Sequence, residues 1–239
     1  MKLTSYDAVL FDLDGVLTPT AELHREAWDQ LFTSLFNKYG LQPPYSELDY
    51  YVHLDGRPRY EGVSALLASR KFEVPTGNPA DPPTAITRCG LGNRKDQIFA
   101  AILATRGVRP YPAAVALVSL LNRARVRCAV VSSSRNATDV LAAAGLRDGF
   151  DVVVDGRTAE AQGLAGKPAP DTFQFAAKAL GATPRRSVVV EDAISGVLAA
   201  HQGQFGLIVG VDGGAGAAAL KAAGASIVIK DLAELLPGP

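Results

Sequence analysis

The sequence predicts an α/β protein: an open, doubly wound parallel sheet with helices on both faces, interrupted once by a helical insertion. Three observations lead there. Several short runs are apolar at every position instead of every second one, as in strands buried on both faces. Helical stretches separate most of these runs, and such alternation builds a parallel sheet through right-handed crossovers. One interval between successive strands is far longer than a crossover requires.

The first strand reads Ala8 to Phe11 and ends at Asp12. The next begins near Arg127, more than a hundred residues on, although a βαβ unit takes only about 30. Tyr111 to Arg123 can serve as the crossover helix. Residues 18–100 therefore read as a helical cap inserted into a core made of residues 1–17 and 101–239. Within the insertion, Ala21 to Phe36 carries Leu23, Ala27, Leu31 and Leu35 at helical spacing. Proline-rich segments at Gln42–Tyr45 and Val74–Pro83 punctuate it. Beyond it, strands are expected at Cys128–Val131, Asp151–Val154, Ser187–Val190, Leu207–Val211 and Ser226–Ile229. Helices are expected at Ala137–Ala144, Asp171–Leu180, Ile194–His201 and Gly216–Ala223. The pattern is a Rossmann-like core with an inserted cap domain. The insertion leaves the sheet at the carboxyl end of the first strand, where open α/β sheets bind ligands, so a lid is expected there.

Composition excludes several partners. The 24 basic residues are balanced by 24 acidic ones, which leaves no basic footprint for nucleic acid and no polybasic patch for a membrane. Cys89 and Cys128 are too few for a disulfide framework, and Cys128 lies in an apolar run as a buried thiol would. The apolar runs are too short to span a bilayer, and the first residues lack a signal-peptide pattern. The expectation is a cytoplasmic protein, a monomer or weak homodimer, acting on small molecules.

Chemistry concentrates at strand ends. Asp12 and Asp14 follow a wholly apolar strand on one side of the chain. Two carboxylates there are costly unless a cation or a reaction needs them. Ser132, Ser133 and Ser134 follow the second strand with Arg135 and Asn136, offering hydroxyls and amides at a helix start. Lys167 sits in a loop stiffened by Pro168 and Pro170. The fourth strand runs into a second acidic pair, Glu191 and Asp192. Hard oxygen ligands from two strand ends suit Mg²⁺. The run Gly210–Gly216 lacks the first-strand context of a dinucleotide site and reads as a βα loop.

These four signals, in this order and spacing, resemble the motifs of the haloacid dehalogenase superfamily of phosphotransferases: Asp12-Leu13-Asp14-Gly15, Ser132, Lys167 and Glu191-Asp192. The resemblance covers the core, and the insertion lies where that family carries its helical cap. It implies that Asp12 attacks phosphorus to form an aspartyl-phosphate and that Asp14 is the general acid and base. It implies Mg²⁺ held by Asp12, the main-chain carbonyl of Asp14 and Asp192 with support from Glu191, and phosphoryl oxygens held by Ser132 and Lys167.

The stretch Phe11 to Trp28 is further similar to β-phosphoglucomutase and its near relatives, with His24 matching a histidine that couples to the acid–base aspartate. His53–Tyr60 resembles the substrate-specificity loop of that group. There Arg59, and with it Arg57, would hold the second phosphate of a bisphosphate intermediate, assisted by Ser134, Arg135 and Asn136. Pro19 departs from the pattern, which usually has an acidic residue at that place. The resemblance implies a mutase converting β-glucose 1-phosphate to glucose 6-phosphate. The alternatives are a phosphatase on a sugar phosphate or phosphoglycolate-type metabolite, and an inactive regulatory module. Loss of Asp12, Lys167 or Asp192 would mark the last, and all three are present.

Overall fold

The computed structural model describes residues 3–237. Six strands occur in chain order: β1 (Ala8–Phe11), β2 (Arg127–Val131), β3 (Val152–Val154), β4 (Ser187–Glu191), β5 (Leu207–Val211) and β6 (Ile227–Ile229). The helices are α1 (Thr20–Tyr39), α2 (Glu47–Asp49), α3 (Arg59–Ser69), α4 (Arg88–Arg106) and α5 (Pro112–Arg123). They continue with α6 (Ala137–Ala143), α7 (Gly156–Gln162), α8 (Asp171–Ala179), α9 (Ile194–Gln202) and α10 (Ala217–Ala223).

All strand pairs are parallel, in the order β3-β2-β1-β4-β5-β6. This is the doubly wound arrangement in which the chain winds outward from β1 in both directions, so ligands bind at the carboxyl ends of the central strands. The central strands are buried along their length because helices cover both faces, which is why β1 is apolar throughout and β4 carries Val188, Val189 and Val190 between Ser187 and Glu191. Phe11 lies in register with Val130 of β2 and Val190 of β4, so Asp12 emerges level with Val131 and Glu191, with Ser132 one residue further on. The ladder reaches into the site itself: Asp12 N–H donates to Val190 C=O (2.9 Å) and Ser132 N–H to Val154 C=O (2.9 Å).

The chain forms two compact units, residues 1–20 with 108–239, and residues 21–107. The first holds the sheet. Its core on one side packs Leu10, Val131, Val189 and Ile208 against Phe173, Val197 and Leu220. The second is helical, built around Trp28, Leu31, Phe32, Phe36, Val63, Leu66 and Leu91, with Leu23, Ala27 and Phe99 as a smaller cluster. Residue 100, expected to end the insertion, lies inside α4. No breaker follows it until Gly107, where the helix ends and the compact unit with it. The expected loop His53–Tyr60 is likewise divided. Tyr50–Leu54 forms a π-helical turn, Asp55–Pro58 a short link, and Arg59 opens α3 behind the fixed φ of Pro58. No helix among the described residues is long and apolar enough to cross a membrane.

Candidate active site

The sheet topology brings Asp12, Asp14, Ser132, Lys167 and Glu191 together. Lys167 is only 1% exposed. Its ammonium donates to Asp12 Oδ1 (2.5 Å), Glu191 Oε1 (2.6 Å) and the Val131 carbonyl (3.0 Å), which uses all three N–H groups. The ring of Phe173 lies beneath it, 4.9 Å from Nζ to the centroid. Burial alone would pull this lysine down, but Asp12 and Glu191 outweigh burial and raise it, so it stays charged.

The other oxygen of Asp12 accepts the Asp14 N–H (2.8 Å). The Asp14 carboxylate turns away from Lys167. Its Oδ1 accepts from Thr20 Oγ1 (2.5 Å) and its Oδ2 from Ser132 Oγ (3.3 Å). Behind Thr20 stands Thr18, whose hydroxyl meets that of Thr20 at 2.7 Å; both threonines are fully buried. The Thr18 hydroxyl also lies 3.3 Å from the Leu13 carbonyl, which competes with Thr20 for its one hydrogen, and the two threonines form a short hydroxyl relay that ends on Asp14. Neither threonine was an expected site residue. The available signal was two hydroxyls at alternate positions just past the acidic pair.

Glu191, expected to support the metal site, has its carboxylate fully buried between Lys167 and the Ala193 N–H (2.7 Å). It serves as the anchor of Lys167, since a buried lysine needs a buried counter-charge. Gly196 of α9 makes room for it: a Cβ there would lie 1.7 Å from Glu191 Oε1. Asp192, also buried, lies beside the main chain of Gly213.

The donor set can be tested against a divalent cation. Among the described residues no three His, Cys, Asp or Glu side chains form a ready cage. Mg²⁺ does not ask for one, because it binds through one or two carboxylates and keeps several waters. Around Asp12 the charge is unbalanced. Burial first, then the like charges of Glu191 and Asp14, push its carboxyl well above the ordinary range against the pull of Lys167. The site sets three carboxylates, Asp12, Asp14 and Glu191, against the single ammonium of Lys167, and this surplus of negative charge suits a cation. Asp12 and Asp192, with the main-chain carbonyl of Asp14, therefore fit Mg²⁺.

Ser134, Arg135 and Asn136 form the turn into α6. Ser134 N–H donates to Ser132 Oγ (3.1 Å), Asn136 N–H to Ser134 Oγ (3.2 Å), and Arg135 pairs with Glu160 (2.5 Å). The remaining expected residues belong to the helical unit. His24 of α1 stacks on Phe99 (centroids 3.9 Å apart, 13° between planes), and its Nδ1 meets the ammonium of buried Lys95. Arg59 is held by Asp96 (3.3 Å) and Asn93 (3.0 Å). Arg57 follows the π-helical turn, where its charge partly offsets the upward push that burial gives Glu61.

Known proteins resemble this chain along most of its length. A family model for haloacid dehalogenase-like hydrolases matches residues 6–204. A β-phosphoglucomutase of Mycobacterium bovis is 42% identical over 238 residues, covering 96% of this chain and 91% of the relative. A fructose-1-phosphate phosphatase of Escherichia coli is 30% identical over 196 residues, covering 82% of this chain and 92% of the relative. Among solved structures, CbbY from Rhodobacter sphaeroides in complex with xylulose 1,5-bisphosphate superposes with a TM-score of 0.73 at 26% identity, covering 96% of each chain. The matched family and the strand-end acids lead to one assignment: this chain is an enzyme of the haloacid dehalogenase-like hydrolase family.

Proposed function

We propose that this enzyme is a Mg²⁺-dependent phosphomutase that converts β-glucose 1-phosphate to glucose 6-phosphate through an aspartyl-phosphate on Asp12. The observation that carries the reading is the pair Asp12 and Asp14. One carboxylate is braced by Lys167, while its neighbour is held apart by hydroxyls and so can exchange protons. The 42% identity to a β-phosphoglucomutase along nearly the whole chain supports the substrate.

In the first half-reaction a carboxylate oxygen of Asp12 forms a bond to phosphorus, and the bond from phosphorus to the sugar oxygen breaks. Asp14 gives its proton to that leaving oxygen. In the second, the acceptor hydroxyl gives its proton to Asp14 and attacks phosphorus, and the acyl phosphate bond to Asp12 breaks. Thr20 and Ser132 orient Asp14 for both transfers. Lys167 acts through its charge and by fixing Asp12, because its N–H groups are already engaged. Mg²⁺, held by Asp12, Asp192 and the Asp14 carbonyl, would offset charge between the nucleophile and the anionic phosphoryl group. Arg59 is assigned to the second phosphate, for which a planar fork of donors is suited.

A second reading, favoured by the likeness to a fructose-1-phosphate phosphatase, is hydrolysis, in which water takes the phosphoryl group from Asp12. Phosphorus NMR with Mg²⁺, β-glucose 1-phosphate and a trace of glucose 1,6-bisphosphate separates the two. Conversion to glucose 6-phosphate without inorganic phosphate establishes the mutase. Steady release of inorganic phosphate establishes the phosphatase.

A further inference from the structure

Within the helical unit, Asn93 of α4 is the hub of a network around Arg59. Its Nδ2 donates to the carbonyls of Pro79 (3.0 Å) and Asp81 (2.9 Å). Its Oδ1 accepts from Tyr60 Oη (2.8 Å) and Arg59 Nη2 (3.0 Å). Both donors and both lone pairs of one side-chain amide are thereby used. The donor half reads the proline-rich segment and the acceptor half holds the guanidinium.

The neighbours are arranged to match. Asp96, three residues further along the same face of α4, pairs with Arg59 Nη1 (3.3 Å). Arg59 lies over the Tyr60 ring, 4.9 Å from its centroid, and that ring rests on Gly92, where a Cβ would come within 2.6 Å of Tyr60 Cδ1. On the other side, the Asn78–Asp81 turn is braced internally. Asp81 Oδ2 accepts from Thr87 Oγ1 (2.6 Å) and Asn78 N–H (3.1 Å), and Ala80 N–H donates to Asn78 Oδ1 (2.9 Å). With both terminal nitrogens of Arg59 held, its buried Nε has no hydrogen-bond partner among the described residues.

We infer that Asn93 is a positioning residue. It transmits the geometry of the Asn78–Asp81 turn to Arg59 and thereby fixes how the guanidinium meets the second phosphate of the substrate. The inference rests on the assignment of Arg59 to that phosphate. Asparagine is required for its two faces. Aspartate keeps the acceptor for Arg59 but sets a carboxylate oxygen against the two carbonyls, whereas alanine loses both faces.

Two measurements test this. The first needs no turnover: ¹⁵N spectra of the arginine side chains, with the Arg59 signal assigned through Arg59→Lys. In Asn93→Ala the rotation of the Arg59 guanidinium speeds up; an unchanged Arg59 signal overturns the inference. The second is steady-state kinetics on β-glucose 1-phosphate. Asn93→Ala raises KM about tenfold, the effect of losing one charge-assisted hydrogen bond, with kcat within about twofold. Tyr60→Phe, which keeps the packed ring, changes KM in the same direction by less. In an Arg59→Ala background Asn93→Ala adds nothing. If Asn93→Ala lowers thermal stability but leaves KM unchanged while Arg59→Ala raises it, Asn93 is merely structural and the inference falls alone. If Arg59→Ala itself leaves KM unchanged, the assignment of Arg59 falls and takes the inference with it.

Discussion

Replacing Gly196 by alanine tests whether the buried charges are held as tightly as the geometry requires. Gly196 lies within α9, where alanine is favoured over glycine by about 0.8–1 kcal/mol, so propensity alone predicts stabilisation. Packing predicts the opposite. The new Cβ would stand 1.7 Å from Glu191 Oε1, 2.1 Å from Cδ and 2.7 Å from Cγ. Glu191 is fully buried, so its side chain has nowhere to retreat without leaving Lys167 and the Ala193 N–H. Breaking a buried ion pair from one side costs about 3–5 kcal/mol.

Subtracting the helix gain leaves a net loss of about 2–4 kcal/mol. In a protein of this size that lowers Tm by about 5–15 °C. Differential scanning calorimetry of the apo-protein reads the shift. A double-mutant cycle isolates its cause: in a Glu191→Ala background the clashing atoms are gone, and Gly196→Ala should then be neutral or stabilising. A Tm at or above wild type for Gly196→Ala alone, or an undiminished loss in the Glu191→Ala background, would refute the reasoning.

Three further outcomes follow from the same structure. Asp12→Asn keeps the shape and an acceptor for Lys167 but removes the nucleophile, so circular dichroism is unchanged while turnover falls by about 10⁴-fold or more; appreciable residual turnover would sink the covalent route. Thr20→Val deletes the hydroxyl on Asp14 without changing volume, and lowers kcat about tenfold with little change in KM in steady-state assays; an unaltered kcat would show that Asp14 needs no such support. Asp49 and Arg70 form a buried pair in the helical unit at 2.6 Å. Burial raises Asp49, but Arg70 and Ser46 outweigh it and hold the carboxyl below its ordinary 3.8. A depressed carboxylate adds stability above its unfolded value and loses it as pH falls through the lower folded value. Asp49→Asn should therefore cost about 1.5–3 kcal/mol near neutrality, with the gap to wild type closing below pH 3.8 in urea titrations; a gap independent of pH would exclude a charge effect.

What the sequence disclosed follows from how local each signal was. The strands were legible because a strand covered on both faces is apolar along its buried run, as β1, β5 and Val188–Val190 of β4 are. Asp12, Asp14, Ser132, Lys167 and Glu191 were legible as a set because each follows a strand or sits in a stiff loop, and the topology does the rest. Their division of labour was not. That Glu191 serves Lys167 depends on a contact with a glycine in the following helix, and glycine reads in sequence only as a weak helix former. The Thr18–Thr20 relay was hidden because threonine there is equally at home as a turn residue. The proline-rich segment before α4 read as punctuation, although its carbonyls are the acceptors that orient Asn93, since main-chain acceptors have no signature of their own.

The same division explains why the core leaves two products possible. In the proposed reaction the groups around Asp12 and Asp14 serve to form and break a bond to phosphorus, for a sugar hydroxyl and a water alike. A mutase differs in needing to hold a second phosphate long enough for the bisphosphate to reverse its orientation. That demand falls on cationic donors fixed in direction, because a mobile arginine lowers discrimination by the entropy lost when it is ordered. Arg59, clamped from two sides by one asparagine and one aspartate, is fixed in this way and is the residue proposed for that phosphate. Under the proposed mechanism, choice of acceptor is therefore expected to be sensitive to Asn93 and Asp96, which touch Arg59, and the rate of phosphoryl transfer to Asp12 to be sensitive to Lys167 and Thr20.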